Sequence, residues 1–121
     1  MRSILVMLLL FIYAASSDAA ELICNGKVDI LSYHSPNNLM IKLSSMNQAV
    51  FFCSPDIEWK VAGTHYVTGP ETCKTLYSTF LAIKMSEKSI ASMHFDGDQV
   101  PSDCNGWGSW QKANIRHFKM Q

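Results

Sequence analysis

Trp107, Trp110 and Asn105 lie within six consecutive residues near the C-terminal end. The two tryptophans flank Gly108-Ser109 in a glycine-rich stretch. An indole that faces solvent offers a flat π surface on which the C–H groups of a sugar ring stack. Nearby amides and hydroxyls then supply directional hydrogen bonds. The same rings can instead cover a core, because tryptophan is largely buried in most folds. Both roles stay open, and these three residues are the expected binding residues. Trp59, in an extended apolar piece, is expected in the core.

The remaining reactive side chains point away from catalysis. His34, His65, His94 and His117 are scattered, with no His-x-x-x-His pair to grip a metal. Asp96, Asp98 and Asp103 share one loop, but their spacing departs from the twelve-residue calcium loop that ends in glutamate. They read as a solvated acidic turn. No Gly-x-Ser-x-Gly elbow activates a serine. We expect no catalytic residue, no metal ligand and no cofactor; a small hydrolase is the weakest of the readings considered.

Cys24, Cys53, Cys73 and Cys104 are the four cysteines of the 121-residue chain. No two are closer than Cys53 and Cys73, so the short ligand spacing of a zinc site is missing. An even count in a small exported domain indicates disulfides. Three pairings are open, and the one expected is Cys53–Cys104 with Cys24–Cys73.

Export is itself read from the first residues. Arg2 is followed by an apolar run from Ile4 to Ala15, then by small residues. That is the layout of a secretory signal at 1–19, with cleavage expected after Ala19. The run would span roughly 18 Å, short of a bilayer core of about 30 Å. Residues 20–121 form the expected single domain, with no later membrane span. Losing Arg2 and Asp18 from ten basic and ten acidic residues leaves nine of each. A neutral domain lacks the positive footprint that phosphate binding needs, so nucleic acid is not an expected partner. The expected location is secreted or periplasmic.

The elements that must position these side chains follow from periodicity. Gly26–His34 reads as the first strand, with both faces partly apolar. Ser35-Pro36-Asn37-Asn38 is a turn. Leu39–Ser44 is a second strand, Ala49–Cys53 and Ile57–Val61 are extended pieces, and Gly63–Pro70 is a loop. Pro70 suits a helix start. From Glu71 to Glu87, the residues Cys73, Leu76, Tyr77, Phe80 and Ile83 recur at spacings of three and four, an apolar stripe meant for the core. Ser89–Phe95 and Lys112–Met120 are the last strands. Ile90, Ser92 and His94 are expected on one face of the former, Met93 and Phe95 on the other. The order βββ-α-ββ is that of a mainly β, five-stranded OB-like barrel with one helix. A small α+β sandwich and a cystatin-like sheet are the alternatives.

The stretch from Cys73 through Leu76-Tyr77 to His94 resembles a pattern in small exported bacterial proteins: Leu-Tyr in a helix, a continuation, a polar turn, then a strand. Phe51-Phe52-Cys53 before a strand and Cys104 between the last two strands fit it as well. The B subunits of subtilase-cytotoxin-type toxins are similar there. That resemblance implies an OB fold, a pentameric ring, binding of a cell-surface glycan and an enzymatic A chain as partner. No glycan-contacting residue carries over. The expected function is therefore a non-catalytic binding module for a cell-surface glycan or protein. A periplasmic inhibitor or accessory protein of one partner enzyme is the alternative.

Overall fold

The computed structural model describes residues 21–121, so the signal at 1–19 and its cleavage site lie outside the described residues. Seven strands and one helix follow in the order β1 (Glu21–His34), β2 (Asn38–Leu43), β3 (Val50–Cys53), β4 (Trp59–Lys60), β5 (Val67–Thr68), α1 (Pro70–Met85), β6 (Ser89–Asp96) and β7 (Asn114–Met120). Five form an antiparallel sheet in the order β3-β2-β1-β6-β7, and β4 pairs with β5 in a separate ribbon. The fold is mainly β with one helix. The two outermost strands of the sheet also touch. Phe51 of β3 forms a parallel bridge with Lys112, just before β7. There the Phe51 N–H donates to Gln111 O at 2.9 Å and the Ala113 N–H donates to Phe51 O at 3.0 Å.

β1 is the axis of the molecule, pairing with β2 along its second half and β6 along its first. It begins five residues earlier than its expected start at Gly26. Leu22 and Cys24 are buried while Glu21, Ile23 and Asn25 are exposed, a plain strand alternation. Gly26 is not a strand end but a bulge. Its φ is +117°, a conformation open to glycine, and a Cβ there would overlap Ser44 Oγ. The Lys27 N–H donates to that same Ser44 hydroxyl.

α1 starts at Pro70, capped by the Gly69 backbone, with Glu71 in its first turn and Lys84 in its last. It ends at Met85, two residues before its expected end, where Glu87 turns left-handed at φ 56°. The apolar stripe faces inward as expected: Cys73, Phe80 and Ile83 are buried and Leu76 and Tyr77 pack on the core. Phe80 meets Phe52 and Phe118 edge-on, at 5.6 and 5.0 Å between ring centres. Lys84 Nζ donates to Val28 O and Asp29 O, at 3.3 and 2.9 Å, tying the helix end to β1. β6 changes face midway. A register shift between Ile90 and Ser92 buries Ile90, Met93 and Phe95 together, so Ile90 shares the inner face with the residues expected opposite to it.

All four cysteines are paired, but not as expected. The disulfides are Cys24–Cys104 and Cys53–Cys73. Cys73 lies in the first turn of α1, and its bond to Cys53 ties the start of the helix to the end of β3. Meanwhile the loop before β7 folds back across β1 and brings Cys104 to Cys24. Loops spanning 80 and 20 residues, by chain entropy alone, correspond to stabilisation of roughly 4.5 and 3 kcal/mol. Two disulfides suit an oxidising compartment. Among the described residues no helix is long and apolar enough to cross a membrane.

Candidate functional site

The loop between β6 and β7 carries all three expected binding residues and separates them. Trp107 turns inward and is only 3% exposed. Its ring meets Phe95 edge-on at 5.3 Å. Asn47 grips its backbone at two points: the Trp107 N–H donates to Asn47 Oδ1 at 3.0 Å, and Asn47 Nδ2 donates to Trp107 O at 2.9 Å. Trp107 is thus a core residue, and its ring has no face to offer a ligand. Asn105 is exposed, its N–H donating to Asp103 Oδ1 at 2.7 Å in a tight turn. Trp59 is buried as expected, its Nε1–H donating to Ala113 O at 3.1 Å.

Trp110 is the ring that faces out, at 60% exposure. Its backbone is left-handed, with φ 61°, a conformation costing a non-glycine residue roughly 1–2 kcal/mol. Two neighbours fix the indole. Phe51 stacks beneath it at 6.0 Å, and His34, at the end of β1, approaches edge-on at 4.7 Å. Phe51 itself is buried, because Trp110 and His34 cover it. The row continues through Met40, the partner of Phe51 in β2, to Ser32 in β1. Trp110, Met40, Gln48, Ala49 and Ser109 border a hollow of about 140 Å³. An outward indole face therefore sits beside an amide and a hydroxyl.

A second group of polar residues, drawn from separate segments, gathers at the opposite end of β1. Asp96 ends β6 and Arg116 lies in β7. Arg116 Nη2 bonds Glu21 Oε1, and Arg116 Nε lies 3.4 Å from Asp96 Oδ2. The Tyr66 hydroxyl donates to the same Asp96 oxygen at 2.9 Å. His94 Nδ1 lies 3.1 Å from Glu21 Oε1. Buried Asn114 holds the loop that carries Tyr66, donating through Nδ2 to Thr64 Oγ1 and accepting at Oδ1 from the Thr68 hydroxyl. The cleft between this loop and the strands is about 490 Å³.

Each charge in this network is answered by another. His94 first, then Arg116, holds the Glu21 carboxyl below its ordinary range. Glu21, then the charge of Asp96, keeps the Arg116 guanidinium more firmly protonated than usual. Burial, then the bond to Asp96, pushes the Tyr66 phenol well above its ordinary value, so it stays a donor and not a nucleophile. Of the acidic-turn residues, Asp96 departs from expectation. Its side chain is only 9% exposed and is committed to Arg116 and Tyr66. Among the described residues no three His, Cys, Asp or Glu side chains are arranged around one metal position. The four histidines are not gathered: His34 serves Trp110, His65 lines the charged cleft, and His94 and His117 are neighbours across β6 and β7.

No protein-family model, curated protein or solved structure matches this chain.

Proposed function

We infer that the chain is an exported, non-catalytic binding module built on an OB-type barrel, and that it recognises a saccharide on the shelf formed by Trp110. The strand neighbours support the barrel. β1 lies between β2 and β6, the helix precedes β6, and the Phe51–Lys112 bridge links the outer strands in parallel, as a five-stranded Greek-key barrel requires. The resemblance to subtilase-cytotoxin-type B subunits is an independent argument of the same direction. It also brings a ring of five copies and an enzymatic partner chain into the proposal.

One observation carries the ligand class: an outward indole, immobilised by Phe51 and His34, next to the side chains of Gln48 and Ser109. A ring already fixed loses little entropy on stacking, and aromatic side chains are strong anchors for that reason. Asn105 belongs to the same loop and is a candidate for the rim of a larger ligand.

The test is a glycan array probed with the secreted protein and with Trp110→Ala. Saccharide binding that disappears in the variant supports the reading; a folded wild type that binds no saccharide, or binding unchanged in the variant, overturns it. Light scattering tests the ring, which a monomer would remove. The alternative of an inhibitor or accessory protein draws on Ile30, exposed on β1 beyond Ser32. It predicts co-purification of a single stoichiometric envelope enzyme.

A further inference from the structure

We propose that His94 and His117 form a binding site for an imidazole-preferring divalent transition ion, Cu²⁺ or Zn²⁺, with Glu21 as the positioning residue behind His94. The two histidines stand opposite each other on adjacent antiparallel strands. Their ring centres are 5.1 Å apart and their planes cross at 82°. A tetrahedral ion holding two imidazoles at about 2.0–2.1 Å per metal–nitrogen bond sets the ring centres about 5 Å apart. The ring centres therefore already have the separation that chelation needs.

The second observation is the tautomer. The Glu21 carboxylate, ionised and anchored by Arg116, lies against His94 Nδ1. It holds the proton on that nitrogen and leaves Nε2 with its lone pair free. A carboxylate behind a histidine is the usual arrangement of a metal-binding imidazole, fixing both its orientation and its basicity. His117 is exposed and His94 partly so, which leaves an ion a path from solvent. Two protein nitrogens leave the other coordination positions to water or to a donor from a bound partner. Copper is expected to bind more tightly than zinc.

Cu²⁺ and Zn²⁺ are titrated, each alone, into the untagged exported protein and into His117→Gln, His94→Gln, Glu21→Gln and His65→Gln. The expected result is one ion per chain. Affinity should fall at least tenfold in His117→Gln and His94→Gln and stay unchanged in His65→Gln. Electron paramagnetic resonance of the copper form should show two equivalent nitrogens, reduced to one in His117→Gln. Glu21→Gln should weaken binding about tenfold or more. It should also shift the Nδ1–H tautomer of His94 in nitrogen NMR, a change that a merely structural role would not produce. Circular dichroism confirms that each variant is folded. Copper that binds His117→Gln with undiminished affinity belongs to the chain's amino terminus and overturns the proposal. Absence of any ion at millimolar metal also overturns it.

Discussion

The Trp110 shelf and the Arg116 network occupy the two ends of β1 and treat their polar atoms in opposite ways. In the network every charge has a partner within the protein. Asp96 takes Arg116 and Tyr66, and Glu21 takes Arg116 and His94. A ligand entering that cleft would have to break ion pairs to make its own, with little net gain. At the shelf the fixed part is apolar, an indole held by two rings, and it leaves an outward face beside side chains that project from the surface. Polar side chains crowded into a cleft are thus weak evidence of a ligand site when they satisfy one another. An exposed aromatic ring that the fold has immobilised is better evidence.

The comparison breaks most sharply at Asp96. Asp96→Ala leaves the Tyr66 hydroxyl and part of the Arg116 guanidinium without an acceptor. It should cost about 3 kcal/mol, because the Asp96 carboxylate is buried and two donors lose their acceptor together. Melting should fall by well over about 10 °C in a domain of this size. Saccharide binding per folded molecule should not change. Urea unfolding and the glycan array measure the two effects separately, and joint loss would mean that the two regions are one site.

Trp110→Ala should give the reverse pattern. Binding falls at least tenfold, equivalent to about 1.4 kcal/mol. Stability falls by about 1–2 kcal/mol as Phe51 loses its cover. Trp110→Gly should bind as poorly, yet be more stable than the alanine variant by about 1 kcal/mol, because glycine accepts the left-handed backbone. Equal stability of the two would show that the backbone at Trp110 is unstrained.

Tyr66→Phe sharpens the picture of the network at about 1 kcal/mol, one hydrogen bond to a carboxylate at a half-exposed position. Tyr66 also sets an alkaline limb. Its folded value lies above the ordinary 10.0, so the folded state keeps a proton that the unfolded chain releases. Stability should therefore decline as pH rises past about 10, and Tyr66→Phe should lose that component. Denaturant melts across this range, compared between the two proteins, give the difference.

Glu21 sets the smallest effect, at the acid end. Its folded value is depressed, so its contribution is complete above the ordinary 4.5 and disappears as pH falls through the lower folded value. In metal-free protein Glu21→Gln should flatten this limb slightly, and salt should do the same, since the group is exposed. A limb unchanged in the variant would remove Glu21 from the network.

Local patterns were legible to the extent that one element decided them. The helix stripe at Cys73, Phe80 and Ile83 needs only a period near four, and it faces the core as read. β2 and β7 also lie within two residues of their expected bounds at either end. β5 lies inside the expected loop Gly63–Pro70, because two residues carry no periodicity and form a strand only against Trp59 and Lys60. Ile90 departs from the face that alternation predicts because a bulge is set by pairing with the neighbouring strand and leaves no mark in alternation. At the shelf the tryptophans drew attention by type alone. Which of the two turned outward depended on Asn47, distant in sequence, clamping Trp107 into the core. The Arg116 network had no local signature at all, since Glu21, Tyr66, Asp96 and Arg116 come from four separate segments.

Composition and short-range spacing were enough to determine a neutral chain with paired cysteines, its strand-rich character and a core-facing helix after the third strand of the five-stranded sheet. These follow from interactions within a few residues along one element. Only the folded chain decided that Cys24 joins Cys104, that Trp110 and not Trp107 meets solvent, and that four distant charged or polar groups bond to one another. The reason is physical: pairing register and loop path fix which remote side chains meet, and their energies depend on the neighbours they find there.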